Sequence, residues 1–400
     1  MNNTIFEPCV LGGIKFKNRI IRSATHESMS DENGHPTQRL IDLYVRLAKG
    51  EVGAIVTGYA GVMPNGKSPA FRMQMIDQDA CIAPFKKLVD EVHAYGTPII
   101  LQIAHCGRQT RAKSTGLRTV APSSIRDRMY NEEVPQELTE DGIEEIINNF
   151  VRAIIRAKAA GFDAVQLHLA HGYLLFEFLS PSMNRRLDQW GGNTENRYRI
   201  IKEIFKRSQA NVGDFPVLVK LSAYDGQING MRIEEAVKIA KLLEKSGCAA
   251  IEVSCGVAED GFSTSRSERN PMPAIVKYNF KFERVPVWLK PVVAFLADKS
   301  LPVVKPLKMY NVKAANTIKQ QVMIPVIVVG GIGALEDIEN IIGSGHADLV
   351  SMSRPFIIEP DIVKKFKEGK QKTTRCKCCN YCLIGVEKEP LHCFYGKLKK

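Results

Sequence analysis

Eight times in this 400-residue chain a run of β-branched and aliphatic residues ends in polar ones and gives way to an amphipathic segment that stops near glycine. "RIIRSAT" leads to "PTQRLIDLYVRLAKG", "GAIVTGYAGV" to "APFKKLVDEVHAYG", and "PIILQIAH" to "TEDGIEEIINNFVRAIIRAKAAG". That last segment is apolar at helical spacing, with Thr139 or Asp141 placed to cap it. "DAVQLHLAH", "PVLVKLSA", "AAIEVSCG", "PVIVVGG" and "ADLVSMSR" open the other five units. Strands apolar on both faces belong in a parallel sheet covered by helices. Eight such units predict an α/β fold, a closed (β/α)8 barrel over residues 1–360. A doubly wound open sheet is the alternative, weakened because no G-x-G-x-x-G follows the first strand.

In such a barrel chemistry sits where strands end, on the loops at their C-terminal side. The informative residues fall there: Ser23, Ala24, Thr25 and His26 after strand one, Gly58 to Gly61 with Tyr59 after strand two, and Gln102 and His105 at strand three. Strand four ends in His168 and His171, strand five carries Lys220, strand six ends in Ser254-Cys255-Gly256, strand seven in Gly330-Gly331 and strand eight in Ser353-Arg354. Two glycines before a short helix let backbone amides approach a phosphate, and an arginine one strand on can fork onto it. Gly330, Gly331 and Arg354 therefore predict a phosphate site; the plainer alternative is a tight turn beside a surface arginine.

The stretches "KNRIIRSAT", "LQIAHCGR", "HLAHGYLLFEFLSPSMNRRLDQWGGNTENRYR", "VLVKLSAYD" and "VIVVGGIG" with "ADLVSMSRPFI" span residues 5 to about 360. They resemble the old yellow enzyme family of FMN-dependent NAD(P)H:flavin oxidoreductases. The resemblance implies FMN as cofactor, NADH or NADPH as reductant and a small activated alkene as acceptor. Gln102 offers a donor and an acceptor to the pyrimidine edge of the flavin. Lys220 stands where relatives more often carry arginine, a point charge replacing a fork near the ring. Ser23, Ala24, Thr25, Gly58, Tyr59, Ser254 and Ser353 stand as further cofactor contacts. His26 either touches ring or substrate or is a satisfied loop histidine. His168 and His171 would anchor the acceptor's oxygen, and Tyr173 would give the proton. A metal reading of the two histidines lacks nearby further ligands.

Two segments lie outside this pattern. Residues 257–311 form an excursion after strand six too long to be structureless, read as a helical lid or an oligomer contact. Residues 361–400 hold eleven Lys/Arg against four Asp/Glu, so +7 of the formal +12 lies there, either a solvated end or a docking surface. The tail also carries Cys376-x2-Cys379-x2-Cys382-x10-Cys393, with Cys378 spare. Clustered thiols predict a [4Fe–4S] cluster or zinc. Similar cysteines occur in 2,4-dienoyl-CoA reductase-like members, where a cluster relays electrons from an FAD domain. Here two gaps are each one residue shorter and the sequence ends at Lys400, so the expectation is an FMN domain without that partner domain, its cysteines a vestige, a structural site or a port for a separate electron-donor protein.

No apolar run is long enough to span a bilayer and the start lacks a leader pattern, so the expectation is a cytoplasmic chain with no membrane partner. The competing functions are a flavin-free phosphate-binding lyase or isomerase, and a basic cysteine-rich nucleic-acid module; the leading reading has no nucleic-acid partner.

Overall fold

Three central strands, Ile99–Ala104, Ala164–Leu169 and Val217–Ser222, are buried at every position, which is why their sequences carry no apolar/polar alternation. A computed structural model describes residues 5–70, 72–127, 133–257, 259, 263–298 and 303–397. In it the eight barrel strands are Ile20–Arg22, Ile55–Val56, Ile99–Ala104, Ala164–Leu169, Val217–Ser222, Ile251–Ser254, Val326–Val329 and Leu349–Met352. Each pairs in parallel with the next, and the eighth pairs with the first, so the sheet closes. The (β/α)8 barrel is the fold.

The register sets a polar layer inside the barrel. Gln102 stands beside Gln166, His168 beside Lys220, and Lys220 beside Glu252. A second layer, of Ile21, Val56, Ile100, Leu218, Ile327 and Leu349, is wholly apolar and is closed off by Ile14 and Phe16. These two belong to an antiparallel hairpin, Cys9–Leu11 with Ile14–Phe16, turning at Gly12 and Gly13 with positive φ. Helix Glu140–Ala159 starts where the sequence places its cap: Thr139 Oγ1 accepts from the amide of Gly142 at 3.1 Å.

The excursion 257–311 is helical where described, with helices Met272–Tyr278 and Lys290–Asp298 packed through Met272, Val276 and Ala294. Residues 258, 260–262 and 299–302 of it lie outside the described residues. The tail folds back over the barrel mouth. Its helix Tyr381–Gly385 packs on Met272–Tyr278, and the amide of Leu391 donates to the carbonyl of Glu27 at 2.8 Å. Among the described residues no helix is long and apolar enough to cross a membrane.

Candidate active site

A cavity of about 800 Å³ opens at the C-terminal ends of the strands, within the usual range for a cofactor or drug-sized ligand. Its wall includes Ser23, Ala24, Thr25, His26, Tyr59, Gln102, His168, His171, Tyr173, Lys220, Ser254, Gly330, Gly331, Ser353 and Arg354. Residues from seven strand ends and the second loop therefore meet in one space. Gly58 does not line it. Its amide instead donates to Glu27 Oε1 at 3.0 Å, and a Cβ there would collide with Glu27 Oε2.

Glu27 anchors the loops after strands one and two. It pairs with Arg22 at 2.7 Å and accepts from Tyr44 at 2.6 Å, all three groups buried. The neighbouring His26 ring stacks on Tyr59 at 5.1 Å between centroids, and Tyr59 in turn meets Tyr173 edge-on at 5.3 Å. Tyr59 and Tyr173 also share a hydrogen bond.

Below the cavity floor lies a network centred on Glu252, a residue that sequence reasoning passed over. Its carboxylate accepts from Ser23 at 2.7 Å, Ser351 at 2.6 Å and Gln166 at 2.8 Å, and lies 3.3 Å from Lys220 Nζ. Burial pushes the acid's pKa up, but the Lys220 charge and these bonds outweigh it and hold the group below its ordinary value. Lys220 also donates to Ser23 at 2.8 Å; its burial pulls the ammonium pKa down against the pull of Glu252. Gln102 Nε2 donates to Gln166 Oε1 at 2.6 Å, which fixes the amide's orientation and presents its carbonyl end separately. The signal in the sequence was a charged or amide residue inside a strand otherwise apolar on both faces, in "AAIEVSCG" and "DAVQLHLAH".

His168 and His171 stand edge to face with centroids 5.0 Å apart. His171 adopts the left-handed region, φ 62°, where non-glycine residues are uncommon, and this turns its ring back over the strand ends. Its Nε2 lies 2.8 Å from Ser254 Oγ, so Nδ1 is the nitrogen left to face a ligand. His168 Nδ1 is buried with no hydrogen-bond partner among the described residues. A buried polar atom in this state is costly unless something completes it.

Burial pushes His105 down to about 3, and burial reinforced by the Lys220 charge does the same to His171. His168 is also held well below its ordinary value, by burial first and then by His171 and Lys220. These rings are neutral across the physiological range, whereas the same imidazoles in the unfolded chain take up protons below about pH 6.5. Stability is therefore complete above that pH and is lost as pH falls toward 3. The expected loss is about 2 kcal/mol at pH 5 for the buried His105 and less for the half-buried His171. Urea midpoints at pH 7 and pH 5 measure it, and equal midpoints would contradict neutral rings at these positions.

At the other end, Gly330 and Gly331 have φ of 128° and 68°. Side chains there would strike Asn311 Nδ2 and the carbonyl of Leu307, so the end of the excursion presses on this turn. Asn311, Tyr310, Thr373 and Thr374 also line this end; none was singled out from the sequence. Arg354 is buried in the same wall, but its Nη1 donates to Arg266 O at 2.8 Å, Asn380 Oδ1 at 2.6 Å and Cys378 O at 3.3 Å. It thus ties excursion and tail together, and a phosphate would meet the guanidinium's other edge.

A second, small cavity beside Arg354 is walled by Cys376, Cys379, Cys382 and Cys393. Among the described residues no three His, Cys, Asp or Glu converge closely enough to hold a single metal ion.

Residues 4–295 and 298–373 match the NADH:flavin oxidoreductase / NADH oxidase family. An NADH oxidase of Thermoanaerobacter brockii is 38% identical over 385 residues, 95% of this chain and 53% of that protein. A metal reductase of Desulforamulus reducens is 32% identical over 393 residues, 97% of this chain and 53% of that one. The chain thus spans about half the length of these two relatives. An NADPH dehydrogenase of Bacillus licheniformis, 31% identical, aligns over 90% of this chain and 92% of its own. Among solved structures, a 2-naphthoyl-CoA reductase complex superposes with a TM-score of 0.83 at 24% identity, covering 98% of this chain and 57% of that one. An old yellow enzyme homologue from Zymomonas mobilis gives 0.72 at 24%, covering 97% and 99%. At such identities these structures speak to the fold.

Proposed function

The chain belongs to the NADH:flavin oxidoreductase / NADH oxidase family, and from that premise we propose that its barrel mouth holds FMN and serves hydride transfer from NADH or NADPH to a small activated alkene. The observation that carries this is the joining, in one cavity, of the His168–His171–Tyr173 group, the Gln102 and Lys220 pair, and the Gly330-Gly331 turn with Arg354. The family description names a flavin, which leaves the flavin-free lyase or isomerase without support.

The residues fit the group. A cavity of this volume accommodates a flavin nucleotide, and two buried polar atoms on its wall, His168 Nδ1 and Asn311 Oδ1, lack hydrogen-bond partners among the described residues. Gln102 and Lys220 would hold the ring's polar edge, with Ser23, Ala24, Thr25 and Ser254 around it. The Gly330-Gly331 turn, Ser353 and Arg354 would hold the phosphate. When bound, the flavin supplies a two-electron hydride carrier shared by nicotinamide and acceptor.

The chain's own part is polarisation and protonation. This role requires Ser254 to donate to Nε2, which leaves the His171 proton on Nδ1; His168 provides the second neutral donor. An acceptor's carbonyl or nitro oxygen held by both loses electron density from its β-carbon. Tyr173 then delivers the proton to the α-carbon. Lys220 and Glu252 hold their positions without exchanging protons with substrate.

The test is spectroscopic. Protein saturated with FMN should retain the yellow colour through gel filtration, bleach anaerobically with NADH or NADPH, and recover it when an enone is added. A colourless protein, or one that bleaches but ignores enones, nitroalkenes and enoates alike, ends this reading. In Tyr173→Phe we expect reoxidation by enone to slow about 100-fold with flavin reduction within about threefold of the parent. Stopped-flow absorbance separates the two halves.

A second reading concerns the tail. Four thiols line one small cavity, and thiols clustered in this way suit a metal-sulfur site. We infer a [4Fe–4S] site at Cys376, Cys379, Cys382 and Cys393, through which a separate protein could supply electrons. Anaerobically purified chain should contain iron and sulfide in equal amounts and lose visible absorbance with dithionite; zinc without sulfide would refute it.

A further inference from the structure

Near its end the excursion after strand six forms a helical stretch, the turn Val287–Leu289 running into helix Lys290–Asp298, with two unlike faces. One face packs inward: Ala294 is buried, and Val293 and Ala297 lie on the cluster of Met272 and Val276. The other carries Trp288, Val292, Phe295 and Leu296, at positions i, i+4, i+7 and i+8, with exposures of 75%, 53%, 63% and 62%. That spacing is a single stripe along one helix. Apolar side chains gathered this way in water mark a surface that something covers.

The charge around the stripe says what. Residues 277–308 contain seven Lys/Arg against two acids, +5 of the chain's +12, and residues 361–400 contain the other +7. The two segments pack together, with Lys388 against Glu283 at 2.5 Å and Tyr278 donating to Glu389 at 2.8 Å. One of the two acids is thereby already paired. The formal excess of positive charge thus equals the sum over residues 277–308 of the excursion and the tail that abuts them.

We propose that this face docks on an anionic lipid surface, with Trp288, Phe295 and Leu296 entering the acyl boundary and the surrounding lysines and arginines on the headgroups. A second copy of the chain fits poorly, because a twofold contact would set a +5 segment against its own equal. An acidic protein would satisfy the charge. Lipid is favoured because the apolar groups form one narrow helical stripe within a strongly basic segment, the composition of a helix lying in a membrane interface. The segment rests on the bilayer without crossing it, consistent with the lack of a spanning helix among the described residues. The excursion also supplies Arg269 and Lys308 to the wall of the large cavity, so docking face and cavity mouth are built from one segment. The proposal is independent of the flavin chemistry.

Flotation of the full chain with vesicles of phosphatidylcholine, alone or with about 30% phosphatidylglycerol, tests it. Binding is expected on the anionic vesicles only, at least about 10-fold weaker when salt rises from about 0.1 M to 0.5 M. Trp288 and the buried Trp190 are the chain's two tryptophans, so a blue shift on binding reports Trp288. The variant Trp288→Ser/Phe295→Ser/Leu296→Ser should bind at least about 100-fold more weakly with its circular dichroism and melting midpoint unchanged. Absent flotation, or equal flotation of the variant, overturns the proposal. So does a parent that is dimeric by light scattering while the variant is monomeric, which would assign the face to a second copy. Variant-sensitive binding of poly-glutamate without vesicle binding would assign it to an acidic protein.

Discussion

With both histidines removed, His168→Ala/His171→Ala, the protein is expected to keep FMN and to lose about 10⁴-fold in the rate at which an enone reoxidises the reduced flavin. A single preorganised donor to a developing oxyanion is worth about 10²–10³, and two that grip one oxygen act as a unit, so the double loss falls short of the product. The rings are suited to this because they are neutral. Burial, with Lys220 behind it, keeps His171 near 3, so each donates without titrating across the working range. Reducing the flavin with dithionite removes nicotinamide binding from the measurement, and stopped-flow absorbance then reads only the acceptor step. Neither ring bears on the Gly330-Gly331 turn or on Arg354, so the dissociation constant for FMN should change by less than about 10-fold. If reoxidation proceeds at the parent rate, the acceptor is held elsewhere. If flavin is lost, the pair belongs to the cofactor site instead.

The barrel was legible because its signal is local: strands buried on both faces must be apolar throughout, and Val217–Ser222 or Val326–Val329 shows that in the sequence itself. So were the residues that the strand ends bring to the cavity, since a barrel collects its strand ends in one place, whereas the part of the wall built by the excursion and the tail was not. Glu252 was not, because its meaning depends on Lys220, Ser23 and Ser351 arriving from three other strands. Gly58 shows the converse. A glycine at a strand end suggested ligand approach, while its neighbour is the carboxylate of Glu27, a residue 31 positions earlier in the chain. Arg354 was placed in the cavity but not tied to the tail, and no local pattern reveals that its Nη1 holds Asn380. The hairpin that plugs the barrel was signalled by Gly12-Gly13 and passed over because the runs flanking it are only three residues each.

Glu252 is also where the largest loss of stability should arise, through Lys220→Met. Both side chains are almost fully buried, at 3% and 0% exposure, and the carboxylate is held by Lys220 and three neutral donors. Methionine fills the volume but removes the positive charge, leaving an uncompensated buried anion, which costs about 3–5 kcal/mol. The pH dependence identifies the cause. In the parent, Glu252 is held below its ordinary value of 4.5, so its contribution is present above that pH and is lost only in acid. Without Lys220, burial dominates and raises the group above 4.5, so the variant binds a proton that the unfolded chain has released. The deficit relative to the parent should therefore be small near pH 4 and grow to its full size by neutral pH, a comparison in which the buried histidines largely cancel. The double variant Lys220→Met/Glu252→Gln, which keeps an acceptor for Ser23 and Ser351 but no charge, should recover most of the loss. Urea denaturation of the three proteins at pH 4.5 and 7.5 decides the matter. A deficit equal at both pH values, or one that Glu252→Gln fails to relieve, would mean that packing around the lysine stem, and not the ion pair, sets the stability of the barrel's interior.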